Sequence, residues 1–260
     1  MNDTTTPALE AVAIKKSFGT NQVLSGVSFT AAKGEFVCIV GPSGTGKTTL
    51  LRTLAALGPA DSGAVRINGH AVTRPPAEVS VVFQDYSRSL MPWMRVGKNV
   101  ELPLRRYSMS SADRKERVRR ALADVGLSHA ERLFPWEMSG GMQQRAAIAR
   151  SLAYRPEVLI MDEPFASVDA QTRADLEDLM LDIRDRLDVT IVLVTHDIDE
   201  AVYLGDKVIV LSGRPASVEA SIDIPLGRGR DQIETKSRSE YLQLRATIHQ
   251  MIMRSVATTS

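Results

Sequence analysis

The stretch Gly41-Pro42-Ser43-Gly44-Thr45-Gly46-Lys47-Thr48 constrains this chain more than any other. It fits the spacing G-x-x-x-x-G-K-[ST]. Residues 36–40 before it form an apolar run rich in Val and Ile, which with Glu35 predicts a strand over 35–40, and residues 47–56 behind it carry a helical pattern. A glycine-rich turn between strand and helix lets the backbone curl until successive N–H groups point at one centre. The positive end of the helix adds to that field, so the centre suits a phosphate. Lys47 is placed to reach the β- and γ-phosphates of a nucleotide, and Thr48 to ligate Mg²⁺.

Elsewhere, short β-branched runs alternate with longer helical patterns. Strands are expected at 64–67, 79–83, 158–161, 190–194 and 207–211, and helices at 111–125, 141–154, 171–187 and 198–204. Such alternation predicts an α/β fold, a mostly parallel sheet covered on both faces. Residues 11–15 and 23–30 read instead as a small N-terminal antiparallel layer. Residues 85–150 show no strong strand run. They hold Pro92, Pro103 and Pro135, a block of mixed charge at 113–117 and a long helix, which reads as an inserted helical lobe. The expected organisation is one domain over 1–260, with an α/β core from 1–84 and 151–260 and a helical subdomain at 85–150. Tyr241, Leu244, Ile248, Met251 and Ile252 share one helical face, which is expected to pack back on the core.

Two further segments carry chemistry. Val158-Leu159-Ile160-Met161 reads as a buried strand, and Asp162, Glu163 and Pro164 follow it. Ligands of open α/β sheets bind at the C-terminal edge of the strands. Asp162 is placed to hold Mg²⁺, directly or through water, and Glu163 to polarise an attacking water. Alone, a strand ended by acids and proline is a weak signal, and the phosphate loop gives it meaning. The second segment is Ser139-Gly140-Gly141-Met142-Gln143-Gln144-Arg145. Ser139 is a natural N-cap, and the two glycines admit an anion close to the positive helix end.

Composition bounds what such a chain does. Its 32 Lys+Arg stand against 31 Asp+Glu, a net charge of +1, which argues against a dedicated nucleic-acid binder. Aromatic residues make up only 5%, so the core must come from Val, Ile, Leu, Ala and Met. Cys38 is the single cysteine, which excludes an intramolecular disulfide, and its apolar strand predicts an inert buried thiol. The first ten residues are polar and no signal peptide is expected. No apolar run reaches the roughly 18 residues that a membrane span needs, so if the chain works at a membrane, other subunits must do the spanning. His70, His129 and His249 match no motif, and with Cys38 they show no zinc-ligand spacing.

Together these segments resemble the ATP-binding subunit of an ATP-binding cassette (ABC) transporter. The resemblance runs from about Leu9 to about Ile252, with the motifs in the family's order. It implies the ABC ATPase fold, a P-loop NTPase core with an inserted helical subdomain, and ATP and Mg²⁺ as cofactors. It implies that Gly41, Pro42, Ser43, Gly44, Thr45, Gly46, Lys47, Thr48 and Thr49 hold the phosphates. Phe18 sits where the family has an aromatic that stacks on adenine, with a core phenylalanine as the alternative. Gln84 corresponds to the family's Mg²⁺- and water-sensing glutamine, and His196 to the histidine that contacts the γ-phosphate. Ser167-Val168-Asp169 corresponds to a loop that crosses the dimer interface. The implied catalytic set is Lys47, Gln84, Glu163 and His196. The implied metal set is Thr48, Gln84 and Asp162.

In this family two subunits pack head to tail with ATP between them. The phosphate loop of one copy would face Ser139, Gly140 and Gly141 of the other, with Asp169 nearby. That explains why residues 85–150 carry an anion-binding helix start and no other half of a catalytic site. The further partners implied are two transmembrane permease subunits and, through them, an extracytoplasmic substrate-binding protein. The implied place is the cytoplasmic face of a bacterial inner membrane. Residues 84–100, with Leu90-Met91-Pro92-Trp93-Met94, sit where the family receives a short helix of the permease, and packing of Trp93 inside the lobe is the alternative. The segments at 90–93, 162–173 and 195–201 look like those of nitrate, sulfonate and taurine importers, which carry small anions. Met138, Val168 and Ala56 replace the family's usual Leu, Leu and Gly. The rival readings are a cassette for another solute or for export, a soluble ABC ATPase of DNA repair or translation, and a non-catalytic scaffold. Intact Lys47, Asp162, Glu163 and His196 argue against the last.

Overall fold

A computed structural model describes residues 6–84, 89–166 and 168–259. The chain opens with a long antiparallel hairpin, β1 (Leu9–Phe18) and β2 (Asn21–Ala31). β3 (Phe36–Val40) follows, then the phosphate loop and α1 (Lys47–Leu54). β4 (Ser62–Ile67) returns to pair with β1, and the short β5 (His70–Val72) pairs with β4. These strands form a four-stranded antiparallel sheet in the order β2-β1-β4-β5. The expected antiparallel layer is therefore present and longer than its apolar runs.

β6 (Val79–Val82) leads into a helical stretch. It contains α2 (Val96–Glu101), α3 (Ser111–Asp124) and α4 (Gly140–Leu152), and no strand among described residues 89–150. Short polar side chains start two of these helices. Ser110 accepts from the N–H of Asp113, and Ser139 from that of Met142. The chain then alternates: β7 (Val158–Asp162), α5 (Ala170–Leu187), β8 (Thr190–Val194), α6 (Ile198–Leu204), β9 (Lys207–Ser212) and β10 (Ser217–Asp223). It ends in α7 (Glu234–Ser237) and α8 (Ser239–Thr259).

The second sheet has the order β10-β9-β3-β8-β7-β6, parallel except for the β9–β10 pair. β3, β7 and β8 are buried along their whole length, as near-continuous apolar strands of a covered sheet must be. Alternation divides the core in two. Phe36, Cys38 and Val40 face the helices, whereas Val37 and Ile39 face α1 and the antiparallel sheet. Burial pushes the Cys38 thiol well above its ordinary pKa, in keeping with an inert side chain.

The expected helix at 47–56 ends at Leu54, because Ala56 has φ 52°, in the left-handed region that glycine occupies easily. Tyr241 and Ile248 are buried against the core, and Leu244, Met251 and Ile252 pack beside them, as their shared face predicts. The closing segment is held by polar contacts as well. Arg184 donates to both carboxylate oxygens of Asp206, at 3.0 and 2.9 Å. Arg230 reaches the same carboxylate at 3.2 Å and the carbonyls of Tyr203 and Gly205 at 2.7 and 2.8 Å. Gln232 and Lys236 bind Glu177 of α5, and Tyr241 and Arg245 bind Asp199 of α6.

Candidate functional site

Four strands lie side by side in the order β6-β7-β8-β3, all parallel. Their C-terminal ends release four loops in a row, carrying Gln84, Asp162 with Glu163, His196, and the phosphate loop. The topology therefore assembles residues far apart in sequence along one sheet edge, the edge where open α/β sheets bind ligands.

In the phosphate loop, Lys47 is buried and its Nζ donates to the carbonyls of Gly41 and Pro42, at 2.9 and 3.0 Å. Thr45 closes the turn, its N–H and hydroxyl both reaching the carbonyl of Pro42. Gly41 has no room for a side chain, since a Cβ there would lie 2.6 Å from the carbonyl oxygen of Leu211. The N–H groups of Gly46, Lys47, Thr48 and Thr49 have no acceptor among the described residues, and no side chain caps α1. Four aligned donors at a helix start suit an anion.

Beside them lies the carboxylate of Asp162, buried and hydrogen-bonded by the Thr48 hydroxyl. Burial first, and then the charge of Glu163, raise its pKa, while the Thr48 bond and Lys47 oppose the rise. Burial lowers the pKa of Lys47, against the pull of Glu163 and Asp162. An oxygen-rich pocket whose carboxylate is short of positive charge fits a small hard cation, and Thr48 and Asp162 are the donors it offers. Hydroxyl, carboxylate and free amides thus fit Mg²⁺ and a polyphosphate.

Glu163 is the hub of the row. Its Oε2 lies 3.3 Å from Nε2 of Gln84 and 3.2 Å from Nδ1 of His196. Its backbone has φ 42°, unusual for a residue other than glycine, and its N–H is fixed to the carbonyl of Val194 at 2.8 Å. Such a conformation costs on the order of 1–2 kcal/mol and persists only where its surroundings hold it. Here it turns the carboxylate off the strand axis toward the two neighbouring loops.

A second group of residues lies apart from the row. Ser139 caps α4, and Asp169 caps α5 by accepting from the N–H and hydroxyl of Thr172. The two caps adjoin, because a Cβ on Gly141 would lie 2.5 Å from Cγ2 of Thr172. Ser139, Gly140 and Asp169 are exposed. No hydrogen bond or ion pair joins this group to the phosphate loop among the described residues. Ser167 and Asp85, also part of the expected site and lobe, lie outside those residues. Phe18 ends β1 and is 60% exposed with Lys16 over its ring, which removes the core reading of this side chain. Trp93 is 71% exposed and so does not pack inside the lobe, whereas Leu90 is buried.

One contact here escapes motif reading. Arg173, one turn into α5, lies 3.5 Å from Asp197 and 3.7 Å from Glu200. Glu200 in turn accepts from the Thr195 hydroxyl at 2.6 Å, so α5 is tied to both sides of His196. The spacing of Asp197 before α6 hints at a cap, but nothing in the sequence pairs it with Arg173.

Comparison with known proteins gives the chain its relatives. A profile described as ABC transporter matches residues 24–166. The chain is 43% identical over 226 residues to an aliphatic sulfonates import ATP-binding protein of Burkholderia cenocepacia, covering 87% of this chain and 82% of that protein. It is 44% identical over 208 residues to a nitrate import ATP-binding protein of Synechocystis, covering 80% and 77%. Among solved structures it resembles a dimeric bacterial ABC transporter cassette, with a TM-score of 0.72 and 30% identity over 83% of this chain and 98% of that one. A post-hydrolysis state of that cassette, bound to ADP and Pi, gives a TM-score of 0.70.

Proposed function

The chain belongs to the ABC transporter family, and from that premise we propose that it is the ATP-hydrolysing subunit of an importer for a small anionic solute. The row of Gln84, Glu163 and His196 beside the phosphate loop carries this reading, because it puts a carboxylate, an imidazole and an amide where a γ-phosphate would end. The free amides of residues 46–49 and the Lys47 ammonium hold the phosphates. To do so Lys47 exchanges its bonds to the loop carbonyls for phosphate oxygens. Thr48 and Asp162, with Gln84, hold Mg²⁺, which when bound offsets phosphate charge. Glu163 orients the attacking water and takes its proton, Gln84 aligns that water, and His196 donates to the γ-phosphate. Exposed Phe18 offers its ring face to the adenine.

The group formed by Ser139, Gly140, Gly141 and Asp169 has no phosphate loop of its own to serve. A head-to-tail second copy gives it one, and ATP then joins the two copies. Loss of γ-phosphate contacts on hydrolysis loosens that joint. The helical subdomain at 85–150, with exposed Trp93, receives the permease, and two permease subunits and a substrate-binding protein complete the machine at the cytoplasmic face of a bacterial inner membrane. No helix among the described residues is long and apolar enough to cross a membrane. The import of sulfonates and nitrate by similar proteins supports an anionic solute.

The test is Glu163→Gln. The variant should bind ATP, accumulate as a dimer in size-exclusion chromatography, and hydrolyse ATP about 100-fold more slowly or worse. Turnover near that of the parent protein removes Glu163 from the proposed role.

A further inference from the structure

The opposite edge of the parallel sheet borders a cavity. Here β7 and β8 begin, one strand length, about 16 Å, from the phosphate edge. A cavity of about 360 Å³ opens between α3, the end of α4 and the end of α5. Its floor is apolar, formed by Ala121, Leu152, Ala153, Leu187 and Val189. Its rim is basic: Arg117, Arg120 and Arg155 border it, and the same three arginines border an adjoining cavity of about 390 Å³.

The charge at this rim is not balanced. Arg119 and Arg120 are bound to Glu116, and Asp124 is bound to Arg186. The guanidinium groups of Arg117 and Arg155 have no acceptor among the described residues. Arg155 also stands at φ 56°, where glycine or asparagine is the usual occupant, so an arginine is held there against backbone preference. Two free guanidinium groups from separate elements, one on α3 and one on the turn before β7, converge on the mouth of an apolar cavity.

We propose that this cavity binds a small amphipathic anion, an apolar chain or ring ending in one sulfonate or carboxylate. The volume sits at the small end of ligand pockets, which matches a body of a few carbons. The apolar floor takes the body, and Arg117 and Arg155 take the head through charge-assisted hydrogen bonds. An inorganic anion gains nothing from the floor, and a neutral alcohol gains little from the rim. The proposal does not depend on the nucleotide site.

Isothermal titration calorimetry on the full nucleotide-free chain tests it, with hexanesulfonate, hexanoate, hexanol and sulfate as probes. The two organic anions should bind saturably at one site, and hexanol and sulfate about tenfold more weakly or worse. The double variant Arg117→Ala, Arg155→Ala should lose about tenfold in affinity for both anions. Ala123→Trp, at an exposed lining position, should block the cavity while the unfolding temperature stays unchanged. Sulfate binding as tightly as hexanesulfonate overturns the proposal, as does an absence of saturable binding. Affinity unchanged in the double variant overturns it too.

Discussion

Replacing Glu200 with glutamine should stabilise the protein at alkaline pH and leave it nearly unchanged in mild acid. The Glu200 side chain is buried behind His196 and accepts from Thr195 at 2.6 Å. Burial pushes its carboxyl from the ordinary 4.5 up to about 7, with Asp197 and Glu177 adding to the rise and the Thr195 bond and Arg173 opposing it. Between those two values the folded protein holds a proton that the unfolded chain has released. Stability therefore falls as pH rises through this window, and the loss is complete above the folded value. A gap of about 2.5 pH corresponds to about 3.4 kcal/mol. Glutamine matches the neutral acid as an acceptor for Thr195 but adds a buried amide N–H that needs its own acceptor, which takes back about 1 kcal/mol. The net gain should be about 2 kcal/mol near pH 8 and about zero or slightly negative near pH 5. Urea unfolding at both pH values reads this as a midpoint raised by roughly half a molar at the higher pH only. An equal change at both pH values, or a destabilised variant at pH 8, refutes the reasoning.

Other substitutions probe the site and its frame. Lys47→Ala should lower nucleotide affinity about tenfold or more, read by fluorescence of a labelled ATP analogue, and unchanged binding contradicts the phosphate-loop role. Gly41→Ala forces a Cβ to within 2.6 Å of the Leu211 carbonyl, so it should cost about 1–3 kcal/mol in thermal unfolding and weaken nucleotide binding with it. A stable, fully binding variant removes the close-approach argument. Asp206→Ala removes the carboxylate shared by Arg184 and Arg230, whose side chains are 1% exposed, and leaves them Asp185 and the Tyr203 and Gly205 carbonyls, so it should cost about 2–3 kcal/mol in urea unfolding. A loss under about 1 kcal/mol indicates that water or other acceptors replace the carboxylate.

The parts of this molecule that obey a period were readable in advance. β3, β7 and β8 stand out as apolar runs, and α4 starts at the Ser139 cap its sequence predicts, whereas the Ser110 and Asp169 caps of α3 and α5 emerge from the structure. β5 and β10 were not readable, because one is three residues long and the other alternates at an exposed edge without a strong apolar run. In the site, the phosphate loop declares itself by spacing. The meeting of Gln84 and His196 at Glu163 depends on strand order, which no local pattern encodes. The left-handed backbone of Glu163 was also hidden, since nothing in Asp-Glu-Pro marks the second residue for positive φ. The pairing of Arg184 with Asp206, and of both with Arg230 of the closing segment, joins residues that no local pattern connects.

That closing segment has a consequence in time. Residues 226–259 leave the ribosome after every strand of both sheets has been made. Until then Arg184 and Asp206 have each other but not Arg230, and α6 lacks its contacts to Tyr241 and Arg245. The nascent chain therefore carries its phosphate loop and strands β1 to β10 while the helix that follows His196 is still without its outer support. Emergence of residues 230–245 is what fastens that helix, so the loop of His196 gains its outer support only after the strands of both sheets have been made.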